Sequence, residues 1–84
     1  MKDQDEETKK LKVTCHQNLS VCHNFTGEYK ETILQCTSAI ELDSKASKAF
    51  YLRSIAHMKQ QAFDEAMDDM KQAIKLNPQD KKLR

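Results

Sequence analysis

The chain has 84 residues, of which 38% are hydrophobic and 32% charged, with one glycine, one proline and a formal net charge of +1. Its length suits one small domain, and its shortage of turn-forming residues predicts a mainly helical fold. The small net charge, with no basic cluster interleaved with aromatic residues, argues against nucleic-acid binding. No apolar run is long enough to cross a membrane, and the opening stretch MKDQDEETKK lacks the apolar region of a secretory signal.

The spacing of apolar residues predicts two helices in the first half of the chain. Residues 1–8 form a charged lead-in, and the first helix begins near Lys9, with apolar residues following at i, i+4 and i+7. The break at Asn24–Gly27 separates it from the second helix. Asp43 and Ser44 mark the next stop, and either side chain could cap the helix that follows.

The second half predicts two further helices, at about Lys45–Lys59 and Ala62–Leu76. Asn77-Pro78 ends the fourth helix, because a residue before proline avoids helical dihedral angles. Pro78 also suits the first turn of a fifth helix, of which residues 79–84 would be the start.

The chain matches itself without gaps when it is shifted by 34 residues. Residues of similar size and character then coincide. The matched pairs include Cys15 and Ala49, Cys22 and Ala56, His23 and His57, Tyr29 and Phe63, Ile33 and Met67, Ala39 and Ala73, and Ile40 and Ile74. Small side chains let helices approach closely, and the aromatic residue fills the angle between them. The period therefore predicts stacked helical hairpins.

The segments GEYKETILQCTSAIELD and QAFDEAMDDMKQAIKLNP resemble the second helix of tetratricopeptide repeats. KAFYLRSIAH resembles the first helix of such repeats in co-chaperones, especially the C-terminal repeats of FK506-binding-type immunophilins. The resemblance implies an all-α solenoid segment, with one repeat at residues 9–44, a second at 45–78 and the start of a capping helix at 79–84. Thr32 and Gln61 depart from the family pattern, in which alanine and glycine are usual.

About three such units are usually needed for a stable stack, and the immunophilin arrays that this chain resembles have three. We therefore expect the chain to be a fragment that lacks an earlier repeat. Part of its first helix would then be exposed, and copies could associate weakly through it. The resemblance implies that this segment is non-catalytic and cytoplasmic. The relatives often carry an upstream peptidyl-prolyl isomerase domain, so any isomerase activity of the full-length protein would lie in such a domain and not in this segment.

The repeat positions also predict which residues form the core. The predicted core members are Leu19, Cys22, Tyr29, Ile33, Cys36, Ala39, Ile40, Ala49, Phe50, Ala56, Phe63, Ala66, Met70, Ala73 and Ile74. The matched polar pairs are interpreted as packing residues: Ser20 with Ser54, and His23 with His57. Four acidic residues are interpreted as a solvated face near a helix N-terminus; they are Asp64, Glu65, Asp68 and Asp69.

The Cys-His pairs at Cys15-His16 and Cys22-His23 raise the question of a zinc site. Seven helical residues rise ~10.5 Å, whereas two thiolates on one zinc lie within roughly 4 Å of each other. We therefore predict that the cysteines, including Cys36, are small core residues and that no metal or cofactor binds. Their odd number favours a reducing, intracellular compartment. An enzyme or metal site built on these pairs remains an alternative that a metal assay would test.

The candidate binding surface is a stripe on the third helix. Lys48, Leu52, Ile55 and Lys59 follow i, i+4, i+7 and i+11, so they share one face. In tetratricopeptide folds the first helices of the repeats line a concave groove, and the resemblance implies that this stripe faces it. Thr14, Asn18, Val21 and Phe25 form the neighbouring stripe. Cations, amides and apolar side chains together are typical of a peptide groove.

The resemblance also implies a ligand. Co-chaperone repeats hold the C-terminal carboxylates of heat-shock chaperones with Lys, Asn and Arg side chains, which supply charge-assisted hydrogen bonds. We refer to these carboxylate-binding side chains as the clamp. Asn18 matches an asparagine of the clamp and Lys48 a lysine, whereas Leu52 occupies the position of the clamp arginine. Arg53 is adjacent but rotated by about 100° around the helix. Binding and ordinary solvated roles both remain open for Asn18 and Lys48.

Taken together, these residues predict a non-catalytic protein-interaction module that binds an extended peptide, such as a chaperone tail. Residues 1–43 carry a net charge of −3 and residues 44–84 a net of +4, so an anionic ligand should prefer the second half. The alternative is a structural adaptor or self-associating segment that binds an apolar helix. Salt-insensitive binding would favour that alternative.

Overall fold

The computed structural model describes residues 6–79, and these form four α-helices without a strand among them. The helices are α1 at Glu6–Thr26, α2 at Tyr29–Leu42, α3 at Ser47–Lys59 and α4 at Phe63–Leu76. The predicted all-α fold is confirmed. Helix α1 begins inside the predicted lead-in, where Glu6 and Glu7 favour the positive end of the helix dipole. None of the four helices is both long and apolar enough to cross a membrane.

Both hairpins turn through a left-handed residue at the same repeat position. Gly27 has φ 84° and Gln61 has φ 64°. In each turn the next backbone N–H closes a 2.8 Å hydrogen bond, from Glu28 to the carbonyl of His23 and from Ala62 to that of His57. The two turns are therefore built alike, although only the first uses the glycine that this backbone conformation favours.

The connection between the hairpins differs from the predicted cap. Ala46 precedes α3 and makes no side-chain capping bond, so the prediction that Asp43 or Ser44 caps this helix is wrong. The Asp43 carboxylate instead accepts the Lys45 N–H at 3.0 Å, within the loop. The stop before Pro78 is confirmed, because α4 ends at Leu76. The predicted capping helix falls mostly on residues 80–84, outside the described residues.

Small residues occupy the contacts between helices at matched repeat positions. Ala39 and Ala73 are fully buried, as are Ser20 and Ser54. The serine hydroxyls donate to carbonyls of their own helices, at 2.8 Å to His16 and 2.6 Å to Tyr51. Their polar groups are thus satisfied locally, which confirms the packing interpretation of both serines.

Helix α3 packs against both helices of the first hairpin and against α4, so it lies at the centre of the fold. One buried cluster joins the two hairpins, and its members are Val13, Cys36, Ala39, Ala46, Ala49 and Leu52. This cluster confirms three predicted core residues and adds three others. Thr32, at the position where the family has alanine, is also fully buried; its hydroxyl lies 3.4 Å from the carbonyl oxygen of Ser20.

The core prediction is wrong at the two ends of the stack. Leu19 is 47% exposed and Phe63 59% exposed, and Cys15 and Cys22 are exposed as well. The positions that match these cysteines in the second repeat, Ala49 and Ala56, are buried because α3 packs against the first hairpin. No helix within residues 6–79 covers the same face of α1, so its small and apolar residues face solvent.

Candidate peptide-binding groove

Helices α1 and α3 lie side by side and carry the two predicted stripes. Asn18, Lys48 and Lys59 are exposed, whereas Ile55 is half-buried. The α1 stripe ends in apolar residues, with Val21 44% exposed and Phe25 91% exposed. The surface is therefore polar near Asn18 and Lys48 and apolar toward the end of α1.

Leu52 differs from the other residues of the α3 stripe because it belongs to the core. Only 7% of its surface is exposed. Its carbonyl accepts a hydrogen bond from the Asn24 amide at 3.3 Å, which ties α1 to α3 at this point. At the position of the clamp arginine, this chain thus has an apolar residue that holds the two helices together. No more than the edge of Leu52 can touch a ligand.

Arg53 is held between helices and does not lie free beside the groove. Its Nε and Nη2 donate to the two carboxylate oxygens of Asp69 at 2.7 and 2.8 Å, and its Nη1 donates to the Thr37 hydroxyl at 3.1 Å. The guanidinium also lies 5.5 Å from the centre of the Phe50 ring. The hydrogen bonds to Asp69 raise the pKa of Arg53, so the side chain stays charged. Arg53 therefore links α3 to α2 and α4. Because its guanidinium N–H groups are used in these bonds, Arg53 does not replace the clamp arginine that is missing at Leu52.

Asp69 was predicted to lie on a solvated face, and that prediction is wrong. Asp69 is only 6% exposed, whereas Asp64, Glu65 and Asp68 are exposed. Besides its bonds to Arg53, its carboxylate lies 3.6 Å from Nε2 of His57. A signal for this burial was present in the sequence, since Asp69 follows Ala66 by three residues and precedes Ala73 by four. That spacing places it on the buried side of α4.

The remaining histidines make local structural contacts. The His16 ring lies 2.7 Å from the side-chain oxygen of Gln35, which joins α1 to α2. His23 lies 2.9 Å from the carboxylate of Glu28, across the turn at Gly27. Hydrogen bonds from His23 and then Thr26 lower the pKa of Glu28. These contacts stabilise the first hairpin.

The three cysteines are free thiols, two exposed and one buried. The prediction that all three are core residues is therefore right only for Cys36. Burial raises the pKa of the Cys36 thiol, and its hydrogen bond to the Ser20 hydroxyl opposes this shift in part. In the described part of the chain, no three His, Cys, Asp or Glu side chains come close enough together to hold a metal ion.

A second apolar surface lies at the far end of the stack, between α3 and α4. It is an open hollow of about 250 Å³, which we refer to as the end hollow, and it is lined by Met58, Phe63, Ala66, Met67 and Met70. Met58 and Met67 are each more than half exposed. Phe63 and Met70, which the repeat positions predict as core residues, line this surface instead.

Comparison with protein families identifies the repeat. Residues 47–80 match the family model described as a tetratricopeptide repeat. This segment contains all of α3 and α4 with the turn between them. The matched segment overlaps the second predicted repeat, at residues 45–78, whose bounds stay a prediction.

Among curated proteins, the chain is similar to FK506-binding protein 59 of Drosophila melanogaster, with 31% identity over 77 residues. That match covers 92% of this chain and 18% of the relative. It is also 34% identical over 80 residues to peptidyl-prolyl cis-trans isomerase FKBP4 of Bos taurus, covering 94% of this chain and 17% of the relative. The chain therefore spans less than a fifth of the length of these relatives.

Among solved structures, the fold is similar to the C-terminal TPR-containing domain of a Plasmodium falciparum FK506-binding protein. The TM-score is 0.86 at 26% identity, and the match covers 94% of this chain and 52% of that one. The similarity therefore extends over both hairpins, including the first, which the family model does not reach.

Proposed function

Because this chain is a tetratricopeptide-repeat module similar to those of FK506-binding immunophilins, we propose that it binds an extended acidic peptide in the groove between α1 and α3. The C-terminal tail of a heat-shock chaperone is the ligand that this resemblance favours. The module itself is non-catalytic. Peptidyl-prolyl isomerase activity is proposed only for other parts of a longer protein, and a cytoplasmic location stays a prediction.

One observation carries the proposal. Asn18 and Lys48 are exposed on neighbouring helices, and within residues 6–79 neither side chain is engaged in a hydrogen bond or an ion pair. An ammonium group and an amide can together bind a terminal carboxylate through charge-assisted hydrogen bonds. These two exposed side chains are therefore available for a ligand.

The buried leucine at position 52 sets the expected strength of binding. A hydrogen bond to a charged group contributes about 1.5–3 kcal/mol. Without the arginine, we expect the affinity to be ~10-fold to 100-fold below that of a complete clamp. Val21, Phe25 and Ile55 offer an apolar surface next to the polar one, where side chains upstream of the ligand's C-terminus could pack.

The test is calorimetric titration of the chain with a peptide ending in Glu-Glu-Val-Asp. Lys48→Ala and Asn18→Ala should weaken binding, and so should amidation of the peptide's C-terminus. Lys75→Ala, which removes an equally exposed lysine on α4, should leave it unchanged. If the folded chain bound the free-acid and amidated peptides equally well, the carboxylate proposal would be wrong.

A second candidate function is binding of an apolar helix in the same groove, favoured by the 91% exposed side chain of Phe25. Salt distinguishes the two ligands. Binding to exposed charges weakens as ionic strength rises, whereas binding through apolar area does not. Loss of affinity between low and high salt supports the acidic peptide, and constant affinity supports the helix.

A further inference from the structure

The two helices that line the groove offer cations and no carboxylates along most of their length. Residues 14–26 of α1 contain no Lys, Arg, Asp or Glu, and Ser47–Lys59 contains basic residues but no acidic one. The basic residues are Lys48, Arg53 and Lys59. Because Arg53 is paired with Asp69, the two lysines are the cations that α3 leaves for a ligand.

The hydrogen bond between Asn24 and Leu52 fixes how α1 and α3 lie beside each other. Each short connection reverses the chain, so α1 and α3 run in the same direction. The Asn24 amide donates to the Leu52 carbonyl, which places Asn24 level with the middle of α3. Asn18 then lies about 9 Å back along α1, toward the end of α3 that carries Lys48. Lys59 lies about 10.5 Å beyond Leu52, in the opposite direction.

The groove therefore presents three kinds of surface in order. Asn18 and Lys48 form a polar end, Val21 and Ile55 lie in an apolar middle part, and Lys59 forms a cationic far end. Lys48 and Lys59 are about 16.5 Å apart along the helix axis and only about 20° apart around it. Both lysines can therefore contact one ligand that lies along the groove.

We infer that Lys59 binds a second acidic group of the ligand, upstream of its C-terminal carboxylate. This inference rests on the proposed function, in which the terminal carboxylate binds at Asn18 and Lys48. An extended peptide advances about 3.3 Å per residue, so about five residues cover the ~16.5 Å between the two lysines. The ligand is then a peptide with Asp or Glu about five residues before its C-terminal residue.

The direction of the peptide follows from where its chain ends. A peptide whose last residue lies at Asn18 and Lys48 continues to one side only. Helix α3 begins at Ser47, so on the side away from Lys59 it offers no further surface. On the other side the peptide passes the apolar middle part, where its own apolar side chains can pack. It then reaches Lys59.

Lys59 is available for such a contact. The side chain is exposed, and within residues 6–79 its ammonium group makes no ion pair or hydrogen bond. The repeat does not require a lysine here, because the corresponding residue of the first repeat is Phe25. Since neither side chain is buried in the core, the fold leaves this position free to contact a ligand.

The test is calorimetric titration of the 84-residue chain at low salt with three peptides. The first ends in Glu-Leu-Glu-Glu-Val-Asp, which places a glutamate at the required distance from the C-terminal residue. The second has glutamine in place of that glutamate. The third keeps the glutamine and carries the glutamate about ten residues before the C-terminal residue, beyond the reach of Lys59. The first and third peptides therefore have equal charge.

Two variants are compared with the unaltered chain. Lys59→Gln removes the proposed contact. Lys71→Gln is the matched control, because Lys71 is equally exposed but lies on α4, outside the groove. Both changes affect exposed side chains, so helix content measured by circular dichroism should be unchanged.

The expected result is a preference that depends on Lys59. The unaltered chain and Lys71→Gln bind the first peptide about 2-fold to 5-fold more tightly than the second and third, as expected for one exposed ion pair. Lys59→Gln binds all three peptides equally. Lys48→Ala weakens binding of all three but keeps the preference for the first.

Other results would overturn the inference. If the unaltered chain bound the first and second peptides equally while Lys48→Ala weakened both, the contact at Lys59 would be wrong and the proposed function would stand. If the first and third peptides bound equally, total charge and not a contact at Lys59 would explain the gain. If the folded chain bound none of the peptides, the inference and the proposed function would both be wrong.

Discussion

Arg53 and Asp69, which are 16 positions apart, form a two-point ion pair that joins α3 to α4. The Arg53 side chain is 21% exposed and that of Asp69 is 9% exposed, so the pair is largely shielded from water. Because Arg53 also donates to Thr37 on α2, one guanidinium connects three helices and both repeats. A residue next to the expected clamp position therefore serves the fold instead of the ligand.

Breaking this pair from either side should destabilise the chain strongly. We expect Arg53→Met or Asp69→Asn to lower the free energy of unfolding by about 2–4 kcal/mol, because each leaves a shielded charge without its partner. The measurement is urea denaturation followed by circular dichroism. Asp68→Asn is the control, since Asp68 is exposed and its loss should change stability by less than about 0.5 kcal/mol. A double variant, Arg53→Met with Asp69→Leu, should recover most of the loss; equal effects of Asp68→Asn and Asp69→Asn would contradict this account.

Matched positions in the two repeats should tolerate bulk differently. Ala49 is fully buried, whereas the corresponding Cys15 is exposed. Ala49→Leu should cost about 1–3 kcal/mol through overpacking of α3 on the first hairpin. Cys15→Leu should stay within about 0.5 kcal/mol of the unaltered chain. Thermal unfolding at low protein concentration measures both, and a similar loss at both positions would mean that the face of α1 around Cys15 is covered.

The two left-handed turn residues allow a reciprocal substitution. Gln61 adopts φ 64°, a conformation that costs a residue with a Cβ atom roughly 1–2 kcal/mol. Gln61→Gly should therefore raise the free energy of unfolding by about 1 kcal/mol, and Gly27→Ala should lower it by about the same amount. The expected loss of stability in Gly27→Ala comes from the backbone conformation and not from a steric clash, because a Cβ atom at Gly27 would have no neighbour within 4 Å. Chemical denaturation of the two variants tests the pair, and destabilisation by Gln61→Gly would refute the strain argument.

The buried Cys36 thiol should make stability depend on alkaline pH. Burial raises its pKa in the folded chain, so the folded state keeps its proton where the unfolded thiol, with a pKa of about 8.5, loses it. The contribution to stability is thus fully present below about pH 8.5 and declines as the pH rises toward the folded-state value. Denaturation at several pH values should show a steeper alkaline loss for the unaltered chain than for Cys36→Ala. If stability fell equally with pH in the unaltered chain and in Cys36→Ala, the result would argue against a raised pKa of Cys36. In the native chain, Cys15 and Cys22 should react with a thiol reagent well before Cys36.

Features set by local spacing could be predicted from the sequence. The 34-residue period and the Asn-Pro stop identified all four helices, because helix boundaries depend on nearby residues. The exposure of Asn18 and Lys48 also follows from their position on a helical stripe. Their role toward a ligand stays a prediction.

Features set by packing between helices could not be predicted in the same way. Leu52 shares a stripe with Lys48, but the close approach of α1 and α3 buries it. Cys15 and Cys22 occupy positions that are buried in the second repeat, yet burial requires a neighbouring helix on that side. Asp69 shows the reverse case, since its spacing from two alanines indicated a buried position while its charge suggested an exposed one.

The bond from Asn24 to Leu52 has a consequence for how the chain folds. It joins residues 28 apart, while the contacts of Arg53 with Thr37 and Asp69 each span 16. Only short loops must close before these contacts form, and domains with such local contacts fold in microseconds to milliseconds. The two helices of each hairpin can pair first, and the second hairpin then packs on the first through α3. We expect a single fast kinetic phase, with mutations at the α1–α3 contact acting mainly on the unfolding rate.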